Sequence, residues 1–285
     1  MSEITLQSPA KLNLYLKVIN KRPDGFHNIV TLFERIDLFD DLSFCSKQNE
    51  GIKIFCDHPH VPIGPKNLVY KAAKMLKEDF KVKGGVEIRI NKRIPVAAGL
   101  AGGSSNGATA LMGLNKVWKL GLSREKLLPY ARRLGSDVAF FLYNCSWGLG
   151  TSRGDEIEGL KLKAKLWHIL VVPRIKIYSR DVYSRHKLQL TKRNDNVNIL
   201  IRNLSNGNIL GLGSLLSNDL EIDVVKICPK LLDLKEKLKS FNSLGVMVSG
   251  SGPSVFGVTA TKKEAQEIAK SLSKRFSQVF VVRTL

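Results

Sequence analysis

The first eighteen residues alternate. Ile4, Leu6, Leu12, Leu14, Leu16 and Val18 fall on one face, and Thr5, Gln7, Lys11, Asn13, Tyr15 and Lys17 on the other, the period-two pattern of a half-buried strand. Pro23-Asp24-Gly25 signals a turn, and 28–37 supplies the returning apolar segment. Over 67–80 the residues Leu68, Ala72, Leu76 and Phe80 recur at helical spacing, with Asn67 as N-cap. Val86 to Ile90 alternates again. A small-residue run follows, and beyond Ser104-Ser105 the residues Ala108, Leu111, Leu114 and Trp118 mark a helix. Ser123 starts another, which Pro129 is expected to kink or shorten. Trp167 to Val172 reads as a buried strand. In the last third the pattern predicts a helix over 229–241 and an apolar segment over 246–258. The capping box Thr261-Lys-Lys-Glu264 then opens a helix to about Phe276, and 279–283 is a final strand. There is no internal repeat. Glycine-rich sequence gives way to a charged stretch at Arg153-Gly154, so a division into 1–153 and 154–285 is expected.

Composition narrows the class. The 285 residues are 44% hydrophobic and 25% charged, a globular balance that excludes disorder, collagen and coiled coil. Lys+Arg total 45 against 25 Asp+Glu, a net charge of +20 that suits polyanions: nucleic acid, acidic membranes or phosphorylated small molecules. The basic residues are spread out, through segments such as Lys161 to Lys165, Lys187 to Arg193 and Lys235 to Lys239. They lack the interleaved aromatics of a stacking platform. They read as a solvated surface that also attracts anionic substrates. No stretch approaches the roughly 18 consecutive apolar residues of a membrane span. The N-terminus lacks a basic region followed by an apolar core, so no secretory signal is expected. Cys45, Cys56, Cys145 and Cys228 form no C-x-x-C pair and no metal-ligand spacing, as reduced thiols of a cytoplasmic protein would.

The chemistry concentrates in Pro95-Val-Ala-Ala-Gly-Leu-Ala-Gly-Gly-Ser-Ser-Asn106. Small side chains let a backbone approach a ligand closely, and the helix that follows aims its positive end at the same place. Such a loop cradles phosphate, with the two serines as added donors. It is neither a Walker A loop nor the dinucleotide G-x-G-x-x-G. A second small-residue run, Val248-Ser-Gly-Ser-Gly-Pro-Ser-Val255, interrupts an apolar pattern in the other half, so a cleft between two loops is expected.

Three motifs, Pro9-Ala-Lys-Leu-Asn13, Pro95 through Asn106 and Ser249-Gly-Ser-Gly252, resemble in order and spacing those of the GHMP kinase superfamily. Arg22-Pro-Asp-Gly-Phe-His27 and Gly135-Ser-Asp-Val138 are similar to the branch whose acceptor is a cytidine-diphosphate-linked methylerythritol, and the likeness covers essentially the whole chain. It implies a two-domain α/β (α+β) fold, with a ribosomal-protein-S5-domain-2-like N-terminal domain and a ferredoxin-like C-terminal domain. The implied reaction is ATP-dependent phosphorylation of the acceptor's 2-hydroxyl, in the non-mevalonate route to isoprenoid precursors.

The resemblance also implies roles. Asp137 faces the accepting hydroxyl and takes its proton. Lys11, on the polar face of the first strand, holds Asp137 ionised. Pro95, Val96, Ala97, Ala98, Gly99, Leu100, Ala101, Gly102, Gly103, Ser104 and Ser105 match the ATP phosphate loop, and Asn67 and Lys92 match positions around adenine. Ala101 stands where many members have glycine, which is tolerable if its φ is negative. Asn13, Phe26, His27, Ser179 and Tyr183 match acceptor-binding positions. Phe26 stacks on the cytosine, in place of a more common tyrosine, His27 hydrogen-bonds it and Tyr183 closes the other side. Ser249, Gly250, Ser251 and Gly252 form the third motif beside the cleft. ATP is the donor, and Mg²⁺ is expected without a dedicated carboxylate beyond Asp137. The expected partners are the two small molecules, with no nucleic acid and no membrane, for a monomer or homodimer. In the absence of a visible transit peptide a bacterial cytoplasm is expected. A homoserine or mevalonate type of GHMP kinase is the nearest alternative, and Phe26, His27 and Tyr183 argue for a nucleobase instead. A basic nucleic-acid-binding protein is the alternative from another class, and the intact loop with Lys11 and Asp137 argues against it.

Overall fold

The opening alternation folds into a long antiparallel ribbon, β1 (Glu3–Lys21) with β2 (His27–Lys47), in a computed structural model that describes residues 3–187 and 196–285. The pairing runs from Glu3↔Cys45 to Lys21↔His27, with irregularities at Pro9/Ala10, Asn13/Tyr15 and Val18/Asn20. The chain continues through β3 (Ile52–Cys56), α1 (Leu68–Asp79), β4 (Gly85–Asn91), α2 (Gly102–Val117), α3 (Arg124–Leu134), α4 (Val138–Leu142), β5 (Trp147–Thr151) and β6 (Glu156–Leu160). Then come β7 (Trp167–Val171), α5 (Ser179–Arg185), α6 (Asn196–Asn206), β8 (Ser217–Asn218), α7 (Glu221–Ile227) and α8 (Lys230–Lys239). The end is β9 (Gly245–Val248), β10 (Val255–Thr259), α9 (Lys262–Leu272) and β11 (Val279–Arg283).

The first sheet has the order β3-β4-β2-β1-β8, with β5 pairing β2 and β6 pairing β5. The second is β11-β7-β10-β9, all antiparallel. Numbered within that half, its order is 4-1-3-2, the ferredoxin-like topology the sequence implies. The expected division between 1–153 and 154–285 falls inside the β5–β6 hairpin, so sheet pairing carries the first unit on to Leu160. The basic segment from Lys187 to Arg193 lies almost wholly outside the described residues.

Several expectations change once packing is seen. The first strand is not half-buried at its centre, where every residue from Ser8 to Leu16 except Pro9 is buried. Its apolar face enters a core with Leu170 and Phe256 of the second sheet. Its polar face is roofed, because Leu100 O accepts from Lys11 N at 3.2 Å and the third motif lies over Asn13. Pro129 does not end α3, which runs on to Leu134 with Leu127 and Ala131 buried on either side of the proline. α2 begins at Gly102 rather than after Ser105, so the two glycines and two serines form its first turn. α9 stops at Leu272, where its buried face runs out.

α2 lies between the first sheet and helices α1, α3 and α4, and side chains on most of its circumference are buried. At Gly113 it comes so close to the sheet that a Cβ would sit 2.5 Å from Cε2 of the fully buried Phe44. Helix propensity favours alanine over glycine by about 1 kcal/mol. Overpacking against an immobile ring costs roughly 1–3 kcal/mol. Gly113→Ala is therefore expected to destabilise the protein in urea melts, and a stabilised variant would mean that Phe44 has room to yield.

Candidate active site

A cavity of about 970 Å³ opens between the two sheets, where the centre of β1, the 95–106 loop, the start of α4, the 24–27 turn, α5 and the third motif converge. The loop has an unusual backbone. Ala97, Gly99 and Ala101 adopt φ of +55°, +73° and +52°, so every second residue is left-handed. The expectation of a negative φ at Ala101 is thus overturned, and each alanine there carries roughly 1–2 kcal/mol of strain. The strain is held by contacts on the inner side. Ala98 O accepts from Ser254 Oγ at 2.5 Å and Gly99 O from Ser249 Oγ at 3.0 Å. A Cβ at Gly99 would lie 2.2 Å from Ser249 O, so no other residue fits. With carbonyls engaged inward, this alternation makes an anion-binding concavity of the amides, and the N-terminus of α2 adds its dipole to it.

Not all of the motif reaches the cavity. Leu100 is core, and Ser105 is turned inward, its Oγ accepting from Ser8 Oγ at 2.8 Å. Of the two serines only Ser104 lines the cavity. Beneath the loop lies a network that motif reading did not single out. Fully buried Asp40 accepts from Lys92 Nζ (2.6 Å), Arg93 N and Ile94 N (both 2.8 Å) and Asn106 Nδ2 (2.8 Å). Asn106 also donates to Ser8 Oγ at 2.9 Å. Lys92 lines the cavity, but its ammonium is committed to Asp40 and Ile94 O, and burial pulls its pKa down against the pull of Asp40. Asn67 caps α1 as expected, accepting from Val69 N and donating to Pro62 O, and it also lines the cavity. Asp40 carried no local signal, because in sequence a carboxylate on a strand looks the same buried or solvated.

Asp137 sits at the N-cap of α4, yet its side chain makes no capping hydrogen bond. It faces Lys11 instead, with Nζ 3.7 Å from Oδ2. Lys11 also donates to Asn13 Oδ1 and lies 5.5 Å from the centre of the Phe33 ring. Asn13 Nδ2 donates to Thr31 Oγ1 at 2.7 Å, and that hydroxyl donates on to Tyr15 O. The Lys11 side chain is 5% exposed and that of Asp137 34%; both line the cavity, and the carboxylate is the more open of the two. Lys11 is not aimed outward. Burial lowers its pKa, and the charge and hydrogen bond of Asp137 oppose that.

At the far end of the cavity Phe26 is half exposed. Tyr183 stacks on His27, with centroids 5.3 Å apart and planes at 27°, and both line the cavity with Phe26. Burial, then the nearby Asp137 charge, push the Tyr183 hydroxyl up, so it stays a neutral donor. Burial, then His186 and Lys21, lower the His27 pKa and favour neutral imidazole. Ser179 Oγ lies 2.7 Å from Ser251 Oγ, tying α5 to the third motif. Gly250 and Ser251 line the cavity, whereas Ser249 and Gly252 stand behind it. Asn218, a further supporting residue absent from the motifs, donates to Val248 O and Gly250 O.

This fold and this loop define a phosphoryl-transfer protein, and comparison with known proteins agrees. Residues 67–145 match the family described as GHMP kinases N terminal domain, and 200–278 match GHMP kinases C terminal. The chain belongs to the GHMP kinases. It is 39% identical over 283 residues to the 4-diphosphocytidyl-2-C-methyl-D-erythritol kinase of Bacillus anthracis, covering 99% of this chain and 97% of that one. A crystal structure of a 4-(cytidine 5'-diphospho)-2C-methyl-D-erythritol kinase superposes with a TM-score of 0.83 at 28% identity, over 99% and 100% of the two chains. The homoserine kinase of Cytophaga hutchinsonii shares the fold, with a TM-score of 0.80 at 20% identity over 100% and 95%. Among the described residues no helix is long and apolar enough to cross a membrane.

The buried ammonium has a consequence for stability. Because the folded pKa of Lys11 lies below the ordinary 10.5, the unfolded chain binds more protons as the pH climbs toward that value. This group therefore makes the fold more stable as pH rises, and its penalty is present at neutral pH. Lys11→Met is expected to match or exceed the wild-type thermal midpoint at pH 7, with a gain that shrinks as the pH rises toward 10.5. A midpoint several degrees lower would show that the contacts to Asn13 and Asp137 outweigh desolvation.

Proposed function

We propose that this chain transfers the γ-phosphoryl group of ATP to the 2-hydroxyl of 4-diphosphocytidyl-2-C-methyl-D-erythritol, releasing ADP and the 2-phosphate. The observation that carries the reading is the uncapped carboxylate of Asp137, 3.7 Å from a buried ammonium, between the amide-rich loop and the Phe26–His27–Tyr183 end of one cavity. The amides of 97–103 and the first turn of α2 hold the triphosphate, with Asn67, Val61 and Pro62 toward the base. The acceptor lies across the cleft, its base against Phe26 and His27 and its polyol reaching Asp137. Asp137 orients the 2-hydroxyl and takes its proton as the oxygen attacks phosphorus. Lys11 keeps that carboxylate charged and offsets negative charge at the transfer point.

Among the described residues no three His, Cys, Asp or Glu side chains gather as a metal cage. Mg²⁺ needs none, since it takes most of its ligands from phosphate and water. The Ser104 hydroxyl, which lines the cavity in the first turn of α2, fits that habit: Ser104 would hold the ion together with the phosphates, leaving Asp137 to the acceptor's hydroxyl. When bound it neutralises charge on the phosphates. The chain acts on small molecules in the cytoplasm, and the +20 charge serves to draw in two anionic substrates.

The deciding assay is ATP consumption with the cytidine-diphosphate acceptor, homoserine, mevalonate and galactose side by side. Turnover with the first alone is expected, and equal or absent turnover with it removes the proposal. Two variants divide the site. Asp137→Asn is expected to lose roughly 10²–10⁴ in turnover with both substrates still bound. Gly103→Asp faces open space and suits a helix first turn, so it should fold normally. Its carboxylate would repel phosphate and weaken ATP binding by about 10- to 100-fold. Unchanged ATP affinity in calorimetry would move the phosphates elsewhere.

A further inference from the structure

Phe26 is a half-exposed ring on a surface turn, and such a ring is a poor stacking platform unless something fixes it. Its backbone is fixed locally: Phe26 N donates to Asp24 Oδ1 at 3.1 Å, and Asp24 accepts from Arg22 Nε. The ring is fixed from another part of the chain. The Arg153 guanidinium carbon lies 5.0 Å from the ring centre, a cation–π contact across one face. Arg153 is itself held, with Nη2 donating at 2.6 Å to the buried carboxylate of Asp155, and its side chain is only 25% exposed. The two turns are stitched together beside this contact, Ile29 N donating to Ser152 O at 2.7 Å and Arg22 Nη1 to Ser152 Oγ at 3.2 Å. Arg153 also lines the cavity.

We propose that Arg153, oriented by Asp155, is a positioning residue that braces one face of Phe26 so that the other receives the acceptor's base. The inference rests on the reading of the acceptor as a cytidine diphosphate. The bracing matters here because a phenylalanine has no hydroxyl with which to anchor its own ring. A guanidinium stacks flat against a ring and, unlike an ammonium, grips a carboxylate with its planar fork. Arg153 acts through the ring and not on the diphosphate, because its charge is already paired with Asp155.

A double-mutant cycle on the full-length enzyme tests this. Arg153→Gln is expected to raise the acceptor KM roughly 2- to 5-fold, the size of an exposed cation–π contact, with kcat and the KM for ATP unchanged. Arg153→Lys should recover part of the loss. Phe26→Ala alone should raise the acceptor KM by about 5- to 150-fold, by analogy with stacked bases. In that background Arg153→Gln should add nothing, because the ring it braces is gone. Losses that multiply would place Arg153 on the diphosphate, and an unchanged KM in Arg153→Gln would leave it without a role; either outcome overturns the proposal. Calorimetry with cytidine 5'-diphosphate as probe should show the same pattern without turnover. Wild-type protein that fails to turn over the acceptor would overturn the function itself, a result distinct from a wild-type enzyme whose KM ignores Arg153.

Discussion

Two serine hydroxyls hold this site in shape. Ser249 and Ser254, from the second half of the chain, donate to Gly99 O and Ala98 O in the first half. A buried carbonyl must find a donor, and a loop with alternating left-handed residues has no helix or sheet partner to supply one. Without these donors the loop's strained turns at Ala97, Gly99 and Ala101 would relax to ordinary conformations. The same contact brings Gly250 over Lys11 and Asn13, closing the polar face of β1 to water. Loop geometry and the environment of the central lysine are therefore one constraint, set where the two halves of the chain meet.

That closure explains the asymmetry of the central pair. Lys11 is withdrawn from solvent and Asp137 is not. A buried cation beside a half-open carboxylate is a costly arrangement for the fold, and it fixes a positive charge against the one carboxylate of the pair that opens to the cleft. Asp40 and Lys92 form a second ion pair beneath the loop, and this one is wholly structural in its partners. Both pairs flank the same loop, one at the open side and one underneath. An exposed lysine would contribute charge to the surface but no orientation to the site.

Much of the chain was legible from pattern alone. Helix α1 with its Asn67 cap, the strands at 86–90, 167–172 and 279–283, and the helix at 230–239 have local signals that packing did not override. Short elements escaped: α4, α5, α7 and β8 span two to seven residues, too few for a period to repeat. Alternation over 4–18 located β1 but misjudged its burial, since a polar face predicts solvent only when nothing covers it. Pro129 misled in the opposite sense, because its helix is anchored by core contacts on both sides of the proline.

By itself the sequence determined the family, and it singled out the glycine-rich loop at 95–106 and the residues Lys11 and Asp137 that the fold brings to one cavity. These depend on residue types at fixed spacing, which a linear string preserves. Only the tertiary structure decided which face of each residue matters. It turned Ser105 away from the cavity and Ser104 toward it, set Tyr183 against His27, and revealed Asp40, Asn106, Ser254 and Asn218 as the supports of the loops. Each of those outcomes depends on partners 30 to 156 positions away or on a side-chain direction. Neither is encoded in local composition, because burial and pairing arise only when separate segments compete for the same space.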